Sequence, residues 1–242
     1  MLSLTSLLSP RWAACMLAAS LLSLPLTAGA TGVLPETSVV IINAAQQGGS
    51  INVKNTDPMP VLLYTRLVTL PDDPQPGLVV TQPVVRLAAG QTQKVRFLYS
   101  PGDKPTTEHF SRVVFETIPE KRDTGGNTFS LSVSQDLPVV IVPDELMKTR
   151  ETPWEKTRWS VQQGTLMVTN AGRQVMRLQP RVTLLPQKLG VDLEKSYILP
   201  GETVRISLPE NSASASAVQF APVTRYGFAV PLQTAPLNVK AP

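Results

Sequence analysis

The sequence predicts an all-β fold of two sandwiches, and three observations carry that expectation. Proline outnumbers glycine, 23 to 14, and recurs along the whole chain, which leaves few windows where a helix of three or four turns keeps its hydrogen bonds. Short segments rich in β-branched residues alternate apolar with polar side chains between Pro, Gly, Asn or Asp, the period-two signature of strands. These segments form two clusters separated by a polar, proline-bearing stretch, as two sandwiches joined by a hinge would. With 242 residues, 42% hydrophobic and 17% charged, the chain is long enough for two ordinary domains and apolar enough to bury a core.

The first thirty residues are an element of their own. Trp12 to Leu26 (WAACMLAASLLSLPL) is apolar, follows Arg11 and leads to Ala28-Gly29-Ala30, the small-x-small pattern that a signal peptidase accepts. A signal peptide over 1–30 is therefore expected, with cleavage after Ala30. Pro25 interrupts a run of only fifteen residues where roughly 20 apolar residues span a bilayer, so no membrane insertion is expected after cleavage. Cys15, the single cysteine, leaves with the signal. The mature chain from Thr31 must then hold together without disulfides.

The first sandwich is expected over 31–143. Its strands are Ser38 to Asn43, Ser50 to Asn55, Val61 to Leu70, Lys94 to Tyr99, Phe110 to Thr117 and Thr128 to Val142. A linker follows over 144–154, where PDELMKTRETPW from Pro143 to Trp154 breaks the alternation. The second sandwich, 155–242, is expected to use Trp159 to Gln162, Thr165 to Asn170, Val175 to Leu185, Val204 to Leu208, Val218 to Phe220 and Tyr226 to Val230. A short internal echo supports the division. Leu87-Ala88-Ala89-Gly90 leads into Val95-Arg96-Phe97, and Leu199-Pro200-Gly201 leads into Val204-Arg205-Ile206, each a small-residue turn feeding an alternating strand.

Thr128 to Val142 (TFSLSVSQDLPVVIV) is the most informative segment. Phe129, Leu131, Val133, Leu137, Val139 and Ile141 share one face with Gln135, while Ser130, Ser132, Ser134 and Asp136 share the other. Fifteen residues far exceed the roughly 5 to 6 of a typical strand. Beyond Pro138 both faces are apolar, as in a buried strand, whereas the first part is apolar on one side only. That first part is the candidate contact surface; the alternative is that Phe129, Leu131 and Val133 face their own core. The lead-in Pro119 to Asn127 (PEKRDTGGN) is charged and carries two glycines, the makings of a hairpin tip. A long apolar edge on such a hairpin needs a cover.

Enzyme chemistry finds little support. One histidine, His109, and one cysteine remove most metal sites and nucleophilic triads. Gly125-Gly126 lacks the following Lys-Ser/Thr of a phosphate loop. Asp72 and Asp73 sit in a proline-rich loop (LPDDPQPG) and read as solvated, with no facing partner acid for a glycosidase. Trp154 and Trp159 read as core or hinge packing. A net charge of +4 is too small and scattered for nucleic acid. No metal or cofactor is expected.

The run Gly77 to Phe97 (GLVVTQPVVRLAAGQTQKVRF) followed by Glu108 to Pro119 (EHFSRVVFETIP) resembles the periplasmic chaperones of the chaperone-usher pathway of pilus assembly, and most of all their alternate, colonisation-factor and common-pilus branch. The resemblance implies two immunoglobulin-like sandwiches in an L shape, located in the periplasm. It implies pilus subunits as clients, whose folds lack a final strand that the chaperone lends, and delivery of those clients to an outer-membrane usher. Phe129, Leu131 and Val133 would be the lent side chains, with Leu137, Val139 and Ile141 continuing the strand toward the cleft. Self-association is an option for the client-free protein. The family's best-studied members anchor the client's terminal carboxylate with an Arg and a Lys, where this chain has Ser38 and Pro138. Arg112 is the cleft candidate instead, against the reading of an ordinary solvated or strand-pairing arginine. Glu108 and Arg225 are further cleft or anchor candidates: Glu108 matches the acidic member of the family's interdomain network, and Arg225 stands where the second domain would offer an acid, so a direct Glu108 to Arg225 pair is expected. Two other readings stay open: a pilus structural subunit or adhesin of the same architecture, and a periplasmic carbohydrate-binding sandwich.

Overall fold

The computed structural model of the protein describes residues 32–75, 77–119, 133–209 and 214–239. The expected signal peptide lies outside them. The strands of the first half are β1 (Val33–Pro35), β2 (Val40–Asn43), β3 (Gly48–Asn55), β4 (Val61–Val68), β5 (Leu78–Val80), β6 (Val84–Leu87), β7 (Thr92–Tyr99), β8 (His109–Pro119) and β9 (Ser134–Val142). A one-turn helix, α1 (Asp144–Met147), and a 3₁₀ turn (Pro153–Lys156) follow. The second half contains β10 (Thr157–Gln162), β11 (Thr165–Asn170), β12 (Met176–Leu178), β13 (Arg181–Leu185), β14 (Leu189–Asp192), β15 (Tyr197–Ile198), β16 (Thr203–Ser207), β17 (Ala217–Phe220), β18 (Pro222–Val223) and β19 (Gln233–Val239).

The first half is one nine-stranded sheet in the order β5-β7-β3-β2-β9-β8-β4-β6, with β1 added beside β3. It curls around a core that includes Ile51, Val53, Leu63, Phe97, Phe115, Val139 and Ile141. In β7 the alternation decides the facing: Val95, Phe97 and Tyr99 are buried, while Arg96 and Leu98 are exposed, as a pleated strand with one dry face requires. The second half is a seven-stranded sheet, β14-β13-β17-β19-β10-β11-β16, with a three-stranded sheet, β15-β12-β18. Trp159 and Phe220 meet in its core with ring centroids 5.2 Å apart. Among the described residues each half contains one parallel ladder, β2 with β9 and β10 with β19.

A third cluster joins the halves. Val39, Phe110, Val140, Val142 and Leu146 pack against Val175 and Leu199. This explains why β9 is apolar on both faces beyond Pro138: Val139 and Ile141 fill the first core, and Val140 and Val142 fill the junction.

The short echo in the sequence marks a duplicated structural corner. Asn55, at the end of β3, is fully buried; its Nδ2 donates to the Met59, Leu87 and Ala88 carbonyls and its Oδ1 accepts from Asp57 N. Asn170, at the end of β11, repeats this toward the Gln174 and Ile198 carbonyls and Gly172 N. Gly90 and Gly201 both sit at positive φ (72° and 78°) and donate to the Asn55 and Asn170 carbonyls, a conformation that favours glycine. Even the following residue matches: the Gln91 side chain accepts from Ala88 N, and the Glu202 side chain accepts from Leu199 N.

Several boundaries differ from the expectation. Val175 to Leu185 is two strands, because Pro180 lacks an N–H and the chain leaves one sheet for another there. Tyr226 to Val230 is not a strand. Gly227 at φ 89° and the bond from Phe228 N to Thr224 Oγ1 close a tight turn instead. The short strands β1, β5, β6, β14, β15 and β18 and the final strand β19 were not expected; most span two to four residues, too few for alternation to register, and Pro236 disguises β19.

Candidate functional site

The site is built on β9. The strand runs from Ser134 to Val142, nine residues. Phe129 and Leu131 lie outside the described residues. Val133, just before the strand, is half-buried. Leu137, Val139 and Ile141 are 7%, 0% and 0% exposed in the first core, which corrects their assignment as client-binding side chains: the parent sheet already occupies them. Pairing explains the burial, since β9 lies between β8 on one side and β2 on the other.

Arg112 lies on β8 directly opposite Pro138. Its Nε donates to Asp136 Oδ1 at 2.9 Å and its Nη2 to the Asp136 carbonyl at 3.3 Å, with part of the side chain still in solvent. Thus position 138 has no cation, but a guanidinium stands one strand away. Arg177 on β12 is the basic residue that sequence reasoning missed. It donates to the Thr224 and Arg225 carbonyls at 3.3 and 3.2 Å. Burial, then the positive charge of Arg112, hold its pKa below the usual arginine range, against the opposing charge of Glu151. The available signal was a lone Arg between the core residues Met176 and Leu178.

Glu108 and Arg225 meet in the junction between the halves. Their side chains are 3% and 4% exposed, and Arg225 Nη2 donates to Glu108 Oε1. The same Nη2 reaches the Leu146 carbonyl at 3.2 Å, and Nε faces Glu151 Oε1 at 3.1 Å. Glu108 Oε2 accepts from Val175 N at 2.8 Å. Burial raises the Glu108 pKa, and the charge and hydrogen bond of Arg225 offset that only in part. Since both groups are wholly enclosed and paired with each other, they tie the halves together rather than offer a cleft anchor to a client.

The loop acids correct the expectation of solvation. Asp73 accepts from Phe110 N through Oδ2 and lies 2.8 Å from His109 Nδ1 through Oδ1. Asp72 reaches across to Lys195 Nζ at 2.5 Å and Tyr197 Oη at 3.1 Å, and Lys195 in turn contacts Glu202 at 2.6 Å. Proline-rich spacing concealed this, because both contacts bridge residues far apart in sequence. Ser38 stays exposed and lines a groove of about 500 Å³ with Thr37, Ser50, Tyr226 and Phe228. The turn carrying those two exposed aromatics approaches so closely that a Cβ at Gly227 would sit 2.6 Å from Ser38 Oγ.

Comparison with known proteins gives this geometry a family. Residues 32–147 match the family described as pili and flagellar-assembly chaperone, PapD N-terminal domain. In fold, the chain is similar to a chain of the Salmonella enterica SafA pilin–SafB chaperone complex, at 22% identity and a TM-score of 0.68 over 87% of this chain and 99% of that one. It is also similar to the Escherichia coli chaperone DraB, at 22% identity and a TM-score of 0.67 over 85% and 98%. In sequence it is 38% identical over 200 residues to the uncharacterized fimbrial chaperone YhcA of Escherichia coli K12, covering 82% of this chain and 88% of the relative. Identity at that level along most of both molecules makes this chain a member of the fimbrial chaperone family.

Proposed function

We propose that the protein, a chaperone of pilus assembly by its family, acts in the periplasm after loss of residues 1–30 and holds pilus subunits by lending them the strand that runs into β9. Two domains, 31–143 and 155–242 with a linker over 144–154, carry the site. The observation that supports this reading is the double burial of β9 beyond Pro138. One end of the strand is fixed in two cores, and the residues before it alternate apolar and polar. A client sheet with an open edge would gain backbone hydrogen bonds and seat alternate side chains, with Phe129, Leu131 and Val133 each contributing about 1.5–3 kcal/mol of apolar transfer before ordering costs. The Arg112 and Arg177 guanidiniums would exchange part of their present bonds for a carboxylate of the client, and the loaded complex would then pass to an outer-membrane usher.

The test is replacement of Phe129, Leu131 and Val133 by Ser together, with co-expression of a pilus subunit in the periplasm. The variant is expected to keep its melting temperature and to lose the one-to-one heterocomplex on size exclusion. Persistence of the complex with a lowered melting temperature would return those side chains to the parent core.

A further inference from the structure

A groove of about 660 Å³ lies between α1, the 3₁₀ turn and the turn from Ala171 to Gln174. Four of its lining residues are cationic, Arg150, Lys156, Arg158 and Arg173, against one acid, Glu155. Four minus one leaves +3, in a chain whose whole formal charge is +4. Arg173 is committed, with Glu145 Oε2 at 3.0 Å and the Thr106 carbonyl at 2.8 Å. Among the described residues, the side chains of Arg150, Lys156 and Arg158 have no ion-pair partner. Like charges gathered without counter-charges raise the free energy of the bare surface and the local concentration of anions.

The seat is concave, between α1, the 3₁₀ turn and the turn from Ala171 to Gln174. We infer that this groove is a docking site for an extended, carboxylate-rich segment of a partner protein, whose acids pair with Arg150, Lys156 and Arg158. A concave seat suits a chain that enters it, whereas a lipid surface presents its charge in a plane.

The test uses the full chain without its leader, with a capped oligoglutamate peptide as probe and an oligoglutamine peptide of equal length as comparison, followed by calorimetry. Oligoglutamate is expected to bind and oligoglutamine not, with the affinity falling as salt screens the charges. Arg150→Glu and Arg158→Glu should each weaken binding about tenfold, while Arg205→Glu on β16, exposed and outside the groove, should change it less than about threefold. The proposal is overturned if Arg205→Glu matches the groove variants or if oligoglutamine binds equally well. It is also overturned, in favour of a membrane surface, if vesicles of phosphatidylglycerol bind through the same arginines and the peptide does not. Circular dichroism of each variant verifies that it is folded.

Discussion

The corner at Asn55 and the corner at Asn170 share a buried asparagine that donates to two equivalent carbonyls, a positive-φ glycine and a side-chain cap from the residue after it, yet only one of these caps reaches the other half of the molecule. Gln91 caps its corner and stops there. Glu202 caps its corner and also binds Lys195, which binds Asp72 of the first half. The difference teaches how the junction is assembled: the repeated scaffold supplies the place, and a single change from amide to carboxylate supplies the link. Glu108 with Arg225 follows another rule. It is a fully enclosed pair with no counterpart in the repeat.

Removing Arg225 should have the largest effect. Arg225→Ala leaves Glu108 enclosed without its cation and is expected to lower stability by about 3–5 kcal/mol in urea unfolding. The double variant Glu108→Ala/Arg225→Ala should lose clearly less than the sum of the singles, since the groups are in direct contact. An additive result would separate the pair energetically.

The corners come next. Asn55→Ala and Asn170→Ala each strip partners from buried carbonyls and should each cost about 2–4 kcal/mol, equal within about 1 kcal/mol. A corner whose loss is free would end the equivalence.

The link at Asp72 gives a smaller effect of definite pH sign. Burial pushes the Asp72 pKa up, but the hydrogen bond and charge of Lys195 outweigh it and hold it below the usual carboxylate range. Burial lowers the Lys195 pKa, and its bonds to Asp72 and Glu202 more than restore it, to above the usual lysine range. Asp72 therefore stabilises the fold above the ordinary carboxylate pKa, and that contribution is lost as pH falls through its lowered value. Lys195 stabilises below the ordinary lysine pKa and loses its contribution as pH rises through the raised one. Glu108 has the opposite sign to Asp72. Its raised pKa favours the fold most at acid pH, and the advantage declines as pH rises through the interval above the usual range. Urea midpoints from acid to neutral pH should accordingly flatten at the acid end for Asp72→Asn. At neutral pH that variant should lose about 0.5–1 kcal/mol, a value kept small by partial exposure.

Exchanging the distinguishing residue should matter least. Glu202→Gln should cost about 0.5–1 kcal/mol and only while Lys195 is present, and Gln91→Glu should change melting by an amount equivalent to less than about 0.5 kcal/mol. A large response at 91 would mean that the first corner carries a load of its own.

The long strands and the all-β class were readable because alternation persists for six or more residues, as in Gly48–Asn55, Thr92–Tyr99 and Thr165–Asn170. The echo of Leu87 to Gly90 with Leu199 to Gly201 was visible as a turn, but Asn55 and Asn170 were not visible as its partners. A buried asparagine and a surface asparagine look alike in one dimension, and these bond across thirty-two and twenty-eight positions. Glu108 and Arg225 were legible through family likeness. Arg177 and the Asp72 link depend on which loops meet in space. Leu137, Val139 and Ile141 were assigned to a client because one face of an alternating strand cannot declare which molecule will cover it.

Because β9 buries neighbouring residues in opposite directions, Val139 and Ile141 one way and Val140 and Val142 the other, it cannot slide by one position without inverting both sets. It behaves as a ruler clamped at its zero mark. On the proposed function, a guest aligned on the residues ahead of Ser134 would be measured against that fixed origin, and a deletion there would shift the whole scale by a step that the guest could not correct.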